Sequence, residues 1–547
     1  MSYPIEMQES LQKLAANRAD RREASFDKME FAEKEALLKA FHPDFRSSEK
    51  TTIRVGPNEG DTAPKELVAL LESPSSIDPA AFDLTNPDLE TDILVVGGGG
   101  GALSAALSAH ERGARVLVVT KLRLGDSNTI MAEGGIAAAT HPEDSPAIHF
   151  VDTMVGGRHM NVPELVEALV NDAPFILDWL SSLGVNFDRR DDGSYFAHMP
   201  GGHSRRRSHS IKDLTGLEIM RVLCDELRTQ GIEVLEFSPA VELVLDEYGR
   251  CAGAVLYDFD SRRHRVVKAK IVILATGGMG RLHPLGFPTS NHYGATADGL
   301  IMAYRAGAAL LYAGYVQYHP TGAAWPEQML GLLISEALRA QGAQLVNAEG
   351  VVFVNRLETR DAVSAAIIRE CNARGLGVTT PTGMLGVWLD TPLIDLIGGP
   401  GTFIHRFAGI AGRFRKYGID PVTEPILVFP TQHYQNGGVR IDARGRSDVP
   451  GLYVVGEASG GVHGHNRLGA NSLVDVFVFG RRAGNHAASV LPEVRMGRPS
   501  LDHVVAYEQA LKERGIVSDT VSPILLPDYR FEKALTSVGH ASDRAGS

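Results

Sequence analysis

Apolar residues in the middle of the chain are grouped into short runs that end in glycine, a pattern typical of buried parallel strands. Residues 92–96 (DILVV) form one such run, and five glycines at residues 97–101 and a stretch of small residues follow it. A second apolar run ends at residues 116–120 (VLVVT). This order predicts a strand, a tight glycine turn, a helix and a second parallel strand.

Two later segments repeat the strand-then-glycine pattern, AKIVILATGGMG at residues 269–280 and VPGLYVVGEASGG at residues 449–461. The stretch between them has helices and loops of its own, so we predict an α/β protein in which a capping domain interrupts a Rossmann-like domain. The predicted segments are a helical N-terminal extension (1–88), a Rossmann-like domain in two parts (89–312 and 431–495), an α+β capping or substrate domain (313–430) and a short C-terminal helical tail (496–547).

Residues 1–88 differ in character from the rest, because charged residues are dense and apolar positions are sparse. The spacing of those apolar positions indicates helices. Two interpretations stay open for this segment. It either packs on the main domain or serves as a docking arm for a partner subunit.

Composition excludes several classes of function. The chain has 547 residues and a formal net charge of −12, which weighs against binding to nucleic acid or to an anionic membrane surface. Its three cysteines contain no CxxC pair, so we expect no disulfide framework, zinc site or iron–sulfur cluster held by this chain alone. The start of the chain has no signal-peptide pattern, and the apolar runs are too short to span a bilayer. We therefore expect a cytoplasmic protein with no metal and no direct membrane insertion.

The glycine turn carries the first sign of a cofactor. Gly97, Gly99 and Ala102 fit the pattern G-x-G-x-x-G/A between a strand and a helix. The first position permits the turn, the second lets a pyrophosphate approach the backbone, and the third lets helix and strand pack closely. This placement predicts a dinucleotide site.

The identity of the dinucleotide follows from other segments. The second strand ends in Thr120 and Lys121 rather than in the acidic residue that binds the adenosine ribose in NAD enzymes. The segment ATGG (275–278) ends a strand near the dinucleotide, and Glu457 is suited to bind a ribityl chain. A helix N-terminus in NRLGANSLVD (466–475) would stabilise an anionic reduced flavin. These features favour FAD.

The order of MAEGGIAAA, ATGG, HPTG, SEALRAQG, TRDAVS, TQHYQNGG, VGEASGG and NRLGANSL resembles the fumarate reductase/succinate dehydrogenase flavoprotein family, which includes L-aspartate oxidase and soluble fumarate reductases. The resemblance covers residues 90–490 and implies a shortened C-terminal helical region, because family members often have a longer one. The implied FAD-binding residues are Gly97, Gly99, Gly100, Gly101, Ala102, Thr120, Lys121, Ser127, Asn128, Thr129, Gly134, Gly135, Ala275, Thr276, Gly277, Asp298, Glu457, Asn471, Ser472 and Leu473.

Asn128 stands where respiratory members of the family have a histidine that is covalently linked to FAD. An amide cannot form that bond, so we expect FAD to be bound non-covalently. In the family, covalent attachment accompanies a raised flavin potential and succinate oxidation. Its absence favours running the reaction as a reduction.

Cationic and hydrogen-bonding residues lie beside glycines or at the ends of predicted elements, at His319, Thr321, Arg360, His433 and Arg467. Such a set suits a substrate with two carboxylates, whereas the alternative is that each arginine pairs with a local carboxylate. The resemblance implies specific roles. Arg360 would be the proton donor, Glu336 and Arg339 would relay protons to it, and the substrate carboxylates would be bound by His319, Thr321, His433 and Arg467.

Two departures from the family pattern bear on the substrate. Gln435 and Asn436 follow His433 and Tyr434, and extra amides beside the substrate would shift specificity toward a larger or modified acid. The motif GGHSRRR (201–207) is closer to aspartate oxidase, but Pro200 replaces the glutamate that suits an ammonium group.

The favoured hypothesis is an FAD-dependent reductase of fumarate or a related unsaturated acid, with electrons from a separate iron–sulfur subunit. That subunit would bring any association with a membrane. The alternatives are an L-aspartate oxidase-like enzyme, an enzyme working in the succinate dehydrogenase direction, and a flavin electron-transfer subunit with a vestigial substrate site.

Overall fold

The computed structural model describes residues 2–22 and 26–527. Its largest sheet is built around the predicted first strand, Leu89–Val96, which pairs in parallel with Val116–Val119 on one side and with Arg263–Leu274 on the other. The last three residues of Arg263–Leu274 also pair in parallel with Leu452–Val454, so segments distant in sequence meet in one sheet. The remaining strands of this sheet are Glu233–Leu235, Ala240–Asp246, Cys251–Asp258 and Pro499–Ser500.

Two helices cover this sheet where the cofactor is expected. Gly100–His110 begins at the glycine turn, and Asn471–Val490 packs along it. The two helices approach closely at Gly480 and Gly484, which have no side chain. A Cβ atom at Gly480 would lie 2.0 Å from the Ser104 Oγ atom, and one at Gly484 would lie 2.2 Å from the Ala105 carbonyl oxygen. Side chains at these two positions would force the helices apart.

A second sheet forms the centre of the cap, the name used here for residues 313–430. Its longest strands, Val316–Ala323 and Ile426–Gln435, are antiparallel neighbours, and the helix Arg360–Ile368 packs on both. The other strands of this sheet are Gln344–Val346, Val378–Thr379 and Leu385–Asp390. The strand Val316–Ala323 and the N-terminus of helix Arg360–Ile368 therefore place expected substrate residues next to each other.

The N-terminal extension packs on the cap. The ring of Tyr3 meets that of Trp388 edge to face, with centroids 5.1 Å apart. Arg18 and Arg21 both donate to the carboxylate of Asp390, which is fully buried. Within the described residues this supports the first of the two interpretations, packing on the main body of the protein.

The extension also supports the strand that carries the substrate residues. The short 3₁₀ turn Pro43–Phe45 places Asp44 where both carboxylate oxygens accept a hydrogen bond from the backbone N–H of Val316, at 3.2 Å. His42 lies edge to face with Tyr318, with ring centroids 5.8 Å apart. Both contacts are buried.

The other helices fill the space around these sheets. They are Ile5–Ala16, Arg18–Arg21, Phe31–Phe41, Lys65–Leu71, Pro146–Gly156, Pro163–Ser182, Thr215–Thr229, Asp298–Arg305, Glu336–Ala340, Leu393–Gly398, Thr402–Arg406, Ala408–Arg415 and Asp502–Glu513. The small remaining strands are Lys50–Thr52, Thr62–Pro64, Ile136–Ala137, Ala197–His198, Ser208–His209, Leu310–Leu311, Gly438–Arg440 and Ser459–Gly460. Among residues 2–22 and 26–527, no helix is both long enough and apolar enough to cross a membrane. The expected C-terminal tail lies partly outside the described residues, and the four boundaries between the five expected segments stay predictions.

Candidate active site

One cavity runs from the glycine turn to the cap and spans about 1650 Å³, including space open to solvent. Most of the expected cofactor residues line it, including the glycine turn, the end of the second strand and the first turn of Asn471–Val490. The expected residues on its wall are Gly97, Gly99, Gly100, Gly101, Thr120, Lys121, Ser127, Asn128, Thr129, Gly134, Gly135, Ala275, Thr276, Gly277, Asp298, Glu457, Ser472 and Leu473, with His319, Glu336, Arg360, His433 and Arg467 at the cap end.

The backbone of this cavity fits a dinucleotide. Gly97 has a φ of +137°, and a Cβ atom there would lie 2.3 Å from the Ala275 carbonyl oxygen, so only glycine is compatible with the turn. Gly134 and Gly277 line the cavity, and a Cβ atom at either would meet no atom within 4 Å. Side chains there would project into space that the cofactor needs.

Lys121 is held in place at the end of the second strand. Its Nζ atom donates to the Thr296 hydroxyl at 2.7 Å and also to the carboxylate of Asp298, at the start of helix Asp298–Arg305. The charge of Lys121 is therefore already paired. This arrangement joins the strand end to the opposite wall of the cavity.

Asn128 makes three hydrogen bonds, which fix its amide beside the expected flavin. The Nδ2 atom donates to Asn291 Oδ1 at 2.7 Å and to Glu457 Oε2 at 3.1 Å, while Oδ1 accepts from the backbone N–H of His292. The other carboxylate oxygen of Glu457 accepts from the backbone N–H of Gln435 at 2.9 Å. Burial raises the pKa of the Glu457 carboxyl, although these donors oppose that rise.

Two expected cofactor residues do not line the cavity. Asn471 turns inward, where its Oδ1 atom bonds His149 Nε2 at 2.9 Å and its Nδ2 atom donates to the Thr153 hydroxyl. Ala102 is fully buried in the hydrophobic core, which agrees with its expected packing role. The first turn of Asn471–Val490 still lies on the cavity wall, through Ser472 and Leu473.

Arg360, Glu336 and Arg339 form one buried chain of charges. Glu336 Oε2 accepts from Arg360 Nε at 2.8 Å and from Arg339 Nη2 at 3.2 Å. Burial opposes ionisation of Glu336, but the two guanidinium groups outweigh burial and hold the pKa of that carboxyl well below its usual range. Burial lowers the pKa of Arg339 to about 10, despite the nearby carboxylate. Arg339 lies behind Glu336 and does not line the cavity.

Arg467 lies on the opposite side of Arg360 from Glu336. Gln317 Oε1 accepts from Arg360 Nη1 at 3.1 Å and from Arg467 Nη2 at 2.7 Å. The Arg467 guanidinium also stacks on Tyr434, 4.5 Å from the ring centroid. Burial and the neighbouring Arg360 lower the pKa of Arg467 to about 9.

The two expected histidines face each other at the cap end, with ring centroids 5.1 Å apart. Burial, reinforced by the nearby arginines, lowers the pKa of both His319 and His433 well below the usual range, so both are neutral near pH 7. The Ser290 hydroxyl bonds His433 Nδ1 at 2.7 Å. Thr321 does not line the cavity, because its hydroxyl donates to the carbonyl of Ile334 at 2.7 Å and contacts His319 Nδ1.

Gln435 and Asn436, expected beside the substrate, lie behind it instead. Neither lines the cavity. Asn436 Oδ1 accepts from the backbone N–H of Arg467 at 3.3 Å, and its Nδ2 atom donates to the carbonyl of His465. Regular alternation would place Gln435 on the same face as His433, but Gln317 pairs with Tyr434 and Tyr318 with Gln432, so a β-bulge at His433 breaks the alternation. Asn436 fixes the loop that carries Arg467.

Three further residues of the site were missed in the sequence. Gln317 lies two positions before His319 on the same strand, so its period-two spacing was the available signal. Gly201 donates its backbone N–H to Glu336 Oε1 at 2.6 Å. Ser290 gave no sequence signal, because it lies in a loop far from His433 along the chain.

Comparison with known families supports the cofactor. A family described as FAD binding domain matches residues 92–473. L-aspartate oxidase from Streptomyces coelicolor is 39% identical over 434 residues, which are 76% of this chain and 72% of the relative. One subunit of fumarate reductase (CoM/CoB) from Methanothermobacter marburgensis is 39% identical over 73% of this chain and 72% of its own length. The fumarate reductase flavoprotein subunit from Mycobacterium tuberculosis is 37% identical over 83% of this chain and 76% of its own length.

Solved structures show the same fold. A quinol fumarate reductase variant from E. coli has a TM-score of 0.70 at 31% identity, covering 78% of this chain and 74% of the other. Sdh1 from Mycobacterium smegmatis, solved in complex with UQ1, has a TM-score of 0.64 at 35% identity, covering 77% and 72%. The expected α/β fold class, the FAD cofactor and the oxidoreductase class are thereby confirmed. The chain belongs to the family of FAD-dependent oxidoreductases that includes fumarate reductase flavoprotein subunits and L-aspartate oxidases.

Proposed function

We propose that this enzyme reduces the carbon–carbon double bond of fumarate or a related unsaturated acid, using FAD that is bound non-covalently. The observation that carries the proposal is the position of Arg360. Its guanidinium lies on the wall of the flavin cavity, bonded to Glu336 on one side and joined to Arg467 through Gln317 on the other. A proton donor and a carboxylate-binding group thus face the same small volume.

Arg467 and the two neutral histidines bind and orient the substrate carboxylates. A guanidinium group matches a carboxylate with two parallel hydrogen bonds, and burial strengthens that attraction. His319 and His433 are uncharged, so they bind as hydrogen-bonding groups. Charge neutralisation at one carboxylate withdraws electron density from the conjugated double bond and makes it electrophilic.

When bound, FAD supplies the two electrons of the reduction in the form of hydride. Arg360 then gives a proton to the other carbon. A guanidinium group releases protons reluctantly, so the proton must be replaced at once. One oxygen of Glu336 bonds both Arg360 and Arg339, and the lowered pKa of Arg339, about 10, makes it a better donor than an ordinary arginine. Protons pass from Arg339 through Glu336 to Arg360.

Non-covalent binding of FAD is supported by Asn128. The amide stands at the position of the linking histidine in respiratory members, and it has no nucleophilic atom for that bond. Its Nδ2 and Oδ1 atoms are engaged with Asn291, Glu457 and His292. Asn128 therefore orders the flavin pocket through hydrogen bonds.

Electrons reach the flavin from a separate iron–sulfur protein, and that partner accounts for any association of the enzyme with a membrane. Two relatives are named as subunits of fumarate reductases, which supports a multi-subunit assembly. The three cysteines of this chain are buried and far apart in sequence, so we expect the iron–sulfur clusters to be held by another chain.

L-aspartate oxidation is the second candidate, favoured by the 39% identity to the Streptomyces coelicolor oxidase. Pro200 opposes this candidate, because it has no carboxylate that could pair with the ammonium group of aspartate. The next residue, Gly201, contacts Glu336 only through its backbone N–H. Anaerobic photoreduction of the flavin followed by fumarate tests the first function. Rapid return of the oxidised flavin absorbance supports it, whereas oxygen consumption with L-aspartate and no response to fumarate would establish the second candidate instead.

A further inference from the structure

A second cleft lies beside the substrate end of the flavin cavity. It spans about 750 Å³, including space open to solvent, and it shares Met131 and Ser290 with the flavin cavity. Ser290 is the residue that bonds His433 Nδ1, so the cleft begins directly beside an expected carboxylate ligand. We call this second cleft the vestibule.

The vestibule has an apolar floor and a cationic wall. Met131, Leu330 and Tyr417 are among its apolar residues, and each is more than a third exposed, at 37%, 38% and 45%. Its charged lining residues are Arg281, Arg413 and Lys416, with no acidic residue among the described lining residues. Exposed apolar side chains next to cations fit a ligand that has a hydrocarbon chain and an anionic end.

Two of these cations lie on neighbouring turns of the cap. Arg413 is in helix Ala408–Arg415, and Lys416 directly follows that helix. Arg413 is neutralised by Glu133, which lines the flavin cavity, so this ion pair marks the junction of the two spaces. Lys416 has no carboxylate within 4.0 Å among the described residues. Its charge is therefore available to an anion that enters the vestibule.

We propose that the substrate is an α,β-unsaturated dicarboxylic acid of medium chain length rather than a four-carbon acid. This inference rests on the proposed reductase function. The reacting carboxylate binds near Arg360 and Arg467, the methylene chain lies on Met131, Leu330 and Tyr417, and the distal carboxylate pairs with Lys416. The reduction adds hydride from reduced FAD and a proton from Arg360 across the double bond, so FAD is oxidised and the saturated diacid is released.

Binding of saturated acids to the oxidised holoenzyme tests the vestibule without any turnover. Octanedioate and octanoate have the same chain length and differ in the distal carboxylate. Calorimetric titration is expected to give a dissociation constant about fivefold lower for octanedioate, the scale of one partly exposed ion pair. The difference should shrink as ionic strength rises, because salt screens exposed charges.

The Lys416→Ala variant is expected to close the gap between octanedioate and octanoate, and Lys416→Glu should make the diacid the weaker ligand. Lys512→Ala is the matched control, since Lys512 is also exposed but lies on the distant helix Asp502–Glu513. Equal binding of the two acids to the unmodified enzyme, or a gap that survives Lys416→Glu, would overturn the proposal.

Reoxidation of photoreduced enzyme by fumarate and by (E)-oct-2-enedioate separates this inference from the function on which it rests. Faster reoxidation by the eight-carbon acid supports both. Reoxidation by fumarate alone keeps the reductase function and overturns the vestibule assignment. If neither acid reoxidises the flavin, the reductase function itself is wrong.

Discussion

Arg360 and Arg467 donate to the same atom, the Oε1 oxygen of Gln317, at 3.1 and 2.7 Å. Two like charges are thus held together by one neutral acceptor in a buried site. Their repulsion is one reason why the pKa of Arg467 is lowered to about 9, after burial itself. A substrate carboxylate would relieve this repulsion. The site is therefore prepared for an anion, and Gln317 keeps the two guanidinium groups in position until an anion binds.

Replacing Gln317 by glutamate should weaken substrate binding. A fixed carboxylate between Arg360 and Arg467 would neutralise them and compete with the substrate carboxylate. We expect KM for fumarate, measured with reduced viologen as donor, to rise by about tenfold or more, the scale of one charge-assisted hydrogen bond. Gln317→Met is the matched variant that removes the acceptor without adding charge, and its KM should rise less. Equal KM values for both variants and the unmodified enzyme would contradict this role.

Replacing Arg360 by lysine should slow the chemical step more than binding. Lysine keeps the positive charge but has one nitrogen in place of the planar fork that bonds Glu336 and Gln317, so the proton donor is displaced from the substrate carbon. We expect the rate of flavin reoxidation by fumarate to fall by about 10²–10⁴-fold, the usual contribution of a general acid. Flavin content and absorbance spectrum should be unchanged. A rate equal to that of the unmodified enzyme would favour the alternative of a vestigial substrate site.

Replacing Glu336 by glutamine tests the relay separately from the donor. The amide keeps the size of the side chain but removes the charge that holds Arg339 and Arg360 together. We expect slower reoxidation at saturating fumarate, with the loss greatest at high pH, where resupply of protons is most limiting. The control measurement is the rate of flavin reoxidation in a single turnover, recorded in ordinary and in deuterated water for the variant and for the unmodified enzyme. The ratio of the two rates is the solvent isotope effect. An unaltered solvent isotope effect and pH profile would place the proton path elsewhere.

Much of the cofactor site was predictable because it is local in sequence. The strand is recognisable from its apolar run, and the turn at Gly97 is recognisable because its backbone conformation is open only to glycine. The substrate site is different, since strand Val316–Ala323 and loops near Ser290 and Arg467 meet only in the folded chain. The resemblance supplied Arg360 and Arg467, but the atom that joins them, on Gln317, required the tertiary structure.

The errors have the same origin. The sequence places Gln435 and Asn436 close to His433, but a β-bulge at His433 breaks the regular alternation of the strand, and a bulge cannot be recognised from the sequence. Asn471 was expected to face the flavin but turns to His149, because a helix N-terminus can bind a ligand through backbone groups while its first side chain packs inward.

FAD should be released intact when the protein is denatured in acid. Asn128 offers an amide at the position where a histidine forms the covalent link in respiratory relatives. After precipitation with trichloroacetic acid, we expect all the flavin fluorescence in the supernatant and none in the protein pellet. Asn128→His is the informative companion variant, because it restores the residue type without the rest of a respiratory site. Flavin that stays with the pellet of the unmodified protein would contradict non-covalent binding.

Replacing Gly97 by alanine should abolish FAD binding. The added Cβ atom would lie 2.3 Å from the Ala275 carbonyl oxygen, at a φ of +137° that alanine does not adopt. Gly113→Ala is the matched control, since Gly113 also has a positive φ, of +82°, but a Cβ atom there meets nothing within 4 Å. Both variants carry backbone strain of about 1–3 kcal/mol, and only the first closes the dinucleotide turn. Flavin-to-protein ratios after purification distinguish them, and equal ratios would exclude this turn as the cofactor cradle.

The pH dependence of stability should show how residues 42–44 support the substrate strand. Burial, reinforced by Lys50 and Arg46, lowers the pKa of His42 to about 3, below its unfolded value of about 6.5. Stability from this neutral histidine is therefore lost as pH falls below 6.5. Burial raises the pKa of Asp44 to about 7, above its unfolded value of about 3.9, so its contribution is lost as pH rises from 4 to 7.

Between pH 4 and 6.5 the stability contributed by His42 rises with pH, while that contributed by Asp44 falls. Replacing one of the two residues should therefore reveal the pH dependence of the other. His42→Phe should become less stable as pH rises through this range, whereas Asp44→Asn should become more stable, each by roughly 2 kcal/mol relative to the unmodified protein. Denaturant midpoints of the holoenzyme at several pH values measure both trends. Parallel trends in the two variants would mean that neither group titrates as its burial requires, and that the extension supports strand Val316–Ala323 by packing alone.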